Sequence, residues 1–377
     1  LKPAIPALLA LGALACGSAP APLDLVALSS STDHSCGITR NGGIVCWGDN
    51  EDGGLGNGTR QPSFTARTIS GALTFRIVAA GGGNSCGVAV DSTAYCWGEG
   101  AMGQVGYGVM ADTATPVRLS GGLAIAAISM SSMHGCAVTT SGVGYCWGDN
   151  TTGQLGTGSN AMSGVPLRIA GGLSFASVHT GFGYSCGLTR QGAAYCWGSN
   201  YAGKLGTGRS ADSPVPVPVA GGLTFRAIST GAGHACGVTL DDLVYCWGSG
   251  AYGALGNGGS TDSPTPAVIA GGVKFKSVSA GFGQTCGLTD DGVAYCWGKN
   301  DTGQLGDSTT TQRALPAPVK GGLHFASVSA GSGFGCGLTT NGAAFCWGYN
   351  QGGQLGDGTT TQRAIPVRVL GSSQPSR

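Results

Sequence analysis

Charge is what this sequence lacks most. Asp, Glu, Lys and Arg together make up only 10% of its 377 residues and nearly cancel, leaving a net charge of +1. An ordinary soluble chain carries about a quarter. No basic run occurs anywhere, so the electrostatic footprint of a nucleic-acid binder is missing, and nucleic acid is excluded as a partner. Missing too is any Cys-x-x-Cys pair among the 15 cysteines, which argues against zinc-ribbon and thioredoxin-type chemistry. No Gly-x-Ser-x-Gly elbow, phosphate loop or paired Cys/His nucleophile stands in a credible setting. The reading therefore assigns no catalytic residue, no metal ligand and no cofactor. Sparse charge beside abundant glycine would suit disorder, but 41% of the chain is hydrophobic, enough for a core.

What is present is a repeat. The 73 glycines, interleaved with Val, Leu, Thr and aromatics, indicate many short strands joined by tight turns. Cys36, Cys86, Cys136, Cys186, Cys236, Cys286 and Cys336 recur every 50 residues. A second series, Cys46, Cys96, Cys146, Cys196, Cys246, Cys296 and Cys346, follows ten residues behind, each member preceding Trp-Gly. These account for all 7 tryptophans and for every cysteine except Cys16.

Within one period, Leu173–Val178, Ser185–Thr189, Ala193–Trp197 and Pro214–Val219 read as four strands, the last an edge strand because of its prolines. Arg190-Gln191-Gly192 reads as a three-residue hairpin loop. Four short strands per 50 residues is the arithmetic of a propeller blade. The expected fold is thus all-β: a seven-bladed β-propeller of four-stranded antiparallel blades. The short link Gly171-Gly172 suggests that the fourth strand pairs with the next first strand, leaving the long Trp-Gly loop to cross between blades. On that reading Leu25–Leu28 and Ile365–Leu370, at the two chain ends, pair and close the ring.

The segments Trp147-Gly-Asp-Asn-Thr-Thr-Gly-Gln-Leu-Gly-Thr-Gly158 and Trp297-Gly-Lys-Asn-Asp-Thr-Gly-Gln-Leu-Gly306 resemble the signature of the regulator-of-chromosome-condensation repeat. Gly233-His-Ala-Cys-Gly-Val-Thr239 is similar to that family's glycine-histidine stretch before the second strand. The resemblance recurs seven times, over roughly residues 23 to 370. It implies the propeller but little about function, because the family includes a nuclear exchange factor for a small GTPase, a secreted bacterial inhibitor of β-lactamases, light sensors and scaffolds.

The cysteine pairs are expected to close each second-to-third-strand hairpin as Cys36–Cys46, Cys86–Cys96, Cys136–Cys146, Cys186–Cys196, Cys236–Cys246, Cys286–Cys296 and Cys346–Cys336. Buried free thiols are the alternative. One tryptophan per blade at one position suits blade-to-blade packing. His34, His134 and His234 share a repeat position and are expected to make second-strand polar contacts, not a metal ring. Asp241-Asp242 and Asp290-Asp291 read as solvated hairpin tips. All five methionines fall within blades two and three. Met102, Met110, Met130, Met133 and Met162, with Tyr107, form the candidate partner-binding patch, on loops expected to share one face; the alternative is that some fold back to cap the blade edges.

Export is the expected destination. Lys2 precedes an apolar stretch, Ala4 to Ala15, too short to span a bilayer, so residues 1–15 read as a signal peptide. The stretch ends Ala13-Leu14-Ala15-Cys16 and resembles a bacterial lipoprotein signal, in which Cys16 becomes the lipidated first residue. Ala13 departs from that pattern's large aliphatic residue, and Ala-Leu-Ala is equally an A-x-A site of ordinary secretion. Residues 16–22 read as a tether, 23–370 as the propeller and 371–377 as a tail. Disulfides on this scale also belong to an oxidising compartment. The reading that follows is a non-enzymatic, monomeric binding propeller of a bacterial envelope or secretome. Its partner is a protein or cell-surface polymer, and it meets a membrane only through a lipid anchor at Cys16. A secreted inhibitor of an enzyme such as a β-lactamase is the alternative, and an exchange-factor-like regulator a more distant one.

Overall fold

The computed structural model describes residues 23–372, so Cys16, the signal segment and residues 373–377 lie outside the described part. Seven four-stranded antiparallel sheets follow one another along the chain, each with its strands in sequence order. Blade 4 is representative: its strands are Phe175–Thr180, Tyr184–Thr189, Ala194–Gly198 and Ser213–Pro218. The protein is a seven-bladed β-propeller.

The expected closure is corrected. Leu25–Ser30 pairs only with His34–Thr39, and Arg363–Arg368 only with Ala344–Gly348, so the chain ends share no sheet. The reason lies in the connector between blades. The fourth strand of blade 3 stops at Arg168 and the next first strand starts at Phe175. Between them Gly171 and Gly172 both adopt positive φ, 87° and 67°, which swings the chain into the next blade instead of folding a hairpin. The Trp-Gly loop, conversely, stays within a blade and joins strands three and four, Ile44–Gly48 to Ser63–Thr68 in blade 1.

That loop nevertheless leans on its neighbour, and this holds the blades together. Every tryptophan is fully buried. Trp197 Nε1 donates to the Gln154 carbonyl of the preceding blade at 2.9 Å, and Trp47 reaches round to the Gln354 carbonyl at 3.0 Å, completing the ring. Gly156 follows from this packing: a Cβ there would lie 2.7 Å from Trp197 Nε1, and its φ is +69°. Asn150 organises the loop, its Nδ2 donating to the carbonyls of Ser159 and Ala161 while its Oδ1 accepts from Leu155 N–H. The Trp-Gly-x-Asn and Leu-Gly elements of the repeat are therefore structural.

Core positions co-vary within a blade. Phe175 covers Gly187, where any side chain would collide with the ring. Blade 3 has Ile125 in place of the phenylalanine and Ala137 in place of the glycine, and both are buried. Around the axis, Ser129 Oγ accepts from Thr180 N–H at 3.0 Å and Ser229 Oγ from Ala280 N–H at 3.0 Å, so the channel serines tie adjacent inner strands. All seven cysteine pairs are bonded, with Cα atoms of each pair 4.0–4.1 Å apart and directly opposed in register.

One residue distinguishes the closing blade. Six blades carry proline in the middle of the outer strand (Pro116, Pro166, Pro216, Pro266, Pro316 and Pro366), where blade 1 has Ala66. Proline blunts a sheet edge by removing a donor. Ala66 keeps its donor and gives it to the Leu370 carbonyl at 2.9 Å, while its own carbonyl accepts from Ser372 N–H at 3.2 Å. The C-terminal end thus clasps the outer edge of blade 1, without joining its sheet as a full strand.

Candidate functional site

Meander topology sends the first-to-second-strand loops and the Trp-Gly loops to one face, and the second-to-third-strand hairpins to the other. On the hairpin face the carboxylates are turn residues: Asp241 and Asp291 accept from Thr239 and Thr289, and Asp242 pairs with Arg226. Hydrogen bonding from these threonines holds Asp241 and Asp291 below the usual carboxylate range. Among the described residues, no group of three or more His, Cys, Asp or Glu is arranged to hold a metal ion.

The equivalent histidines are buried inter-blade contacts. His134 Nε2 lies 2.8 Å from Ser185 Oγ and its Nδ1 2.9 Å from Ser131 Oγ. His34 and His234 meet Ser85 and Thr285 of the next blade in the same way. Burial lowers all three to about 4, so they stay neutral at physiological pH. A fourth histidine, His179, lines the axial channel, a cavity of about 410 Å³ walled by the inner strands.

The methionine patch divides. Met102, Met110 and Met162 are exposed on Trp-Gly loops. Met133 is half-buried on a first-to-second-strand loop. Met130 is not on a loop: it ends the first strand of blade 3 on the inward pleat and is buried in the core, its Sδ 3.2 Å from Cys86 Sγ. Tyr107 packs against the same core cluster, and its hydroxyl donates to the Ala111 carbonyl at 3.3 Å.

The loop face carries a second feature that sequence reasoning missed. A groove of about 540 Å³ runs over blades 3 to 6, lined by Met133, Phe182, Tyr201, Tyr252 and Phe282, with Lys204 in its wall. Its aromatic rings face water: Phe182 is 51%, Tyr201 78%, Tyr252 46% and Phe282 52% exposed. Two departures from the repeat build it. Gln104, Gln154, Gln304 and Gln354 each use Oε1 to accept the backbone N–H two residues earlier, which sets the loop. Blades 4 and 5 have Lys204 and Ala254 there, and blade 1 has Gly54. In the loops of blades 4 and 5, Ala202 and Tyr252 adopt positive φ, 58° and 64°, which Asp52 of blade 1 does not. For a bulky side chain that backbone is an outlier. Lys204 Nζ instead donates to the Phe182 carbonyl at 2.8 Å and lies 4.9 Å from the Tyr184 ring centroid, and burial lowers it to about 8.

Across the ring, the same face is acidic. Asp33, Asp49, Glu51, Asp52, Glu99 and Asp112 gather over blades 1 and 2, with Arg60 bonded to Asp112 at 3.1 Å. Burial raises Asp33 to about 6, with Asp49, Asp52 and Glu51 adding to the rise. Burial also raises Asp52 and Glu99, their carboxylate neighbours adding to the effect.

A blade built on a Trp-Gly loop, repeated seven times and with Asn two residues after the Gly in five of them, defines a repeat-propeller class. Matches to the regulator of chromosome condensation (RCC1) repeat cover residues 91–138, 141–188, 191–238, 241–288, 291–338 and 341–376, and a second model of that repeat matches from residue 25. The chain belongs to the RCC1 repeat family. No curated protein matches its sequence. Among solved structures, human WBSCR16 superposes with a TM-score of 0.80 at 21% identity, covering 89% of this chain and 96% of that one. Prp20p from Saccharomyces cerevisiae, whose structure is described with its binding to Gsp1p and histones, gives a TM-score of 0.77 at 20% identity, covering 93% and 88%. The CRINKLY ectodomain of the Arabidopsis thaliana receptor kinase ACR4 gives 0.57 at 21% identity, covering 92% and 98%. These likenesses show the shared fold.

Proposed function

We propose that this propeller is a non-enzymatic binding module that works outside the cytoplasm and recognises a protein or cell-surface polymer through its loop-bearing face. The observation that carries this reading is the distribution of variation. Tryptophans, cysteines, glycines and loop asparagines are spent on the repeat, while exposed Met and aromatic side chains gather on one face. Exposed apolar side chains clustered in this way mark interaction surfaces. Seven disulfides favour an oxidising compartment, and a signal segment ending at Cys16 would deliver the chain there, lipidated or free.

The test is capture from a native envelope fraction by the immobilised, oxidised protein. Alanine at Met102, Met110 and Met133 should abolish capture at an unchanged melting temperature. Alanine at Val90 and Leu240, exposed on hairpin tips of the opposite face, should leave it intact. Capture that follows Val90 and Leu240 instead would overturn the assignment of the face. Enzyme inhibition is the second reading, favoured by the groove, whose exposed rings suit insertion into another protein's cleft. Assays against secreted hydrolases separate it from a scaffold, which inhibits none.

A further inference from the structure

We infer that the groove over blades 3 to 6 seats apolar side chains of a partner polypeptide whose flanking lysines or arginines face the acidic cluster over blades 1 and 2. This rests on the loop face being the binding face, and it names the occupant.

Three observations carry it. First, the aromatics are departures from the repeat, not parts of it. Phe182 and Phe282 stand where other blades have Thr32, Gly82, Ser132, Ala232 and Ser332, and Tyr252 stands where blade 7 has Gly352. Tyr252 is held at φ 64°, an unfavourable backbone for a bulky side chain, while 46% of it remains exposed. Second, the polar groups around the groove are already paired. Thr152 Oγ1 donates to Gln154 Oε1 at 2.8 Å, Gln154 Nε2 donates to Asp149 Oδ2 at 2.6 Å, and Lys204 Nζ is held by the Phe182 carbonyl. Apart from the Tyr201 and Tyr252 hydroxyls, the groove leaves sugar hydroxyls few partners, and much of their desolvation would go uncompensated. An apolar side chain needs none. Third, six carboxylates stand on the same face with one arginine among them. These like charges repel one another, and a cationic partner relieves that repulsion, so the partner's charge is set by complementarity.

The experiment is selection of a phage-displayed random peptide library on the intact oxidised protein, followed by titration of the synthetic winners. Enriched peptides should join Phe, Trp, Leu or Met to Lys or Arg. Tyr252→Gly, which relaxes the strained backbone, and Phe282→Ser, which restores the residue of blades 3 and 7, should each weaken them about tenfold without lowering the melting temperature. Glu51→Gln with Asp52→Asn should weaken binding and flatten its salt dependence. Winners that bind Tyr252→Gly and Phe282→Ser as well as the native protein overturn the inference. If those winners fail instead on Met102→Ala and Met110→Ala, the loop face stands and the groove falls. If they fail only on Val90→Ala and Leu240→Ala, both readings fall. An empty selection, with soluble polysaccharide quenching tyrosine fluorescence in the native protein but not in Tyr252→Gly, makes the occupant a polymer and overturns the inference.

Discussion

Replacing His134 with glutamine should make the fold less sensitive to acid. His134 is fully buried between Ser131 and Ser185, and burial lowers it from an ordinary 6.5 to about 4, with Asp149 and Lys204 pulling weakly in opposite directions. Between those values the unfolded chain binds a proton that the native state refuses, so stability is lost as pH falls through that window. At pH 5 the loss is about 2 kcal/mol for one histidine. His34 and His234 occupy equivalent positions and add to it, for a total of about 6 kcal/mol. Asp33 works the other way: its raised carboxyl gains stability as pH falls through about 6. That term is common to both proteins and cancels when they are compared. Glutamine is a conservative choice because blade 6 already has Gln284 at this position, its Nε2 donating to the carbonyls of Gly331 and Phe334. Urea midpoints at pH 7 and pH 5, with disulfides intact, measure the difference. The variant should retain about 2 kcal/mol more of its neutral-pH stability than the native protein. Equal losses in the two proteins would show that His134 is not a buried neutral group and refute the reasoning.

Two further substitutions test how the ring is held. Ala66→Pro installs the residue of the other six blades and removes the donor to the Leu370 carbonyl. Thermal unfolding should show a loss of about 1 kcal/mol, and residues around Leu370 should lose protection from hydrogen exchange. Trp297→Phe removes the Nε1 bond to the Ala254 carbonyl, 3.0 Å long, and should cost about 1–3 kcal/mol in the same assay while leaving the cysteine pairs bonded.

Much of the fold was legible because the repeat states each blade seven times. The 50-residue phase of Cys and Trp-Gly located the hairpin pairs, and the prolines located the outer strand. The blade boundary differs from the one the local sequence suggests, for a physical reason. Two glycines read locally as a hairpin, but Ile169–Ser174 is a six-residue connector whose path is set by bonds to other segments: Ile169 N–H to Gly144, Ala170 to Gly156 and Phe175 to Gly142. No local pattern carries those contacts. Ala66 stood out among six prolines as a departure in sequence, but the clasp it makes with Leu370 needs the ring.

The candidate site was only half legible. Grouping methionines by residue type put Met130 beside Met133, although three residues along the chain one points into the core and the other lies on the rim. The signal for the groove was the phase of the exceptions. Lys204 and Ala254 break the Gly-Gln-Leu-Gly pattern in adjacent blades, and Tyr201, Tyr252, Phe182 and Phe282 cluster around those breaks. Gly54 breaks the same pattern in blade 1 without gathering aromatic rings, so what a break does to a loop becomes visible only in three dimensions. The acidic cluster was hidden for a similar reason, since Asp33, Glu99 and Asp112 belong to different loops.

Seven hairpins sealed by sulfur hold the blades and leave the loop face free for selection. The most direct measurement is alkylation of the denatured but unreduced protein, purified from its native host and read by mass spectrometry. Every cysteine from Cys36 to Cys346 should resist modification until a reductant is added, and proteolysis should release each pair as one linked peptide. Alkylated Cys186 and Cys196 before reduction would contradict it.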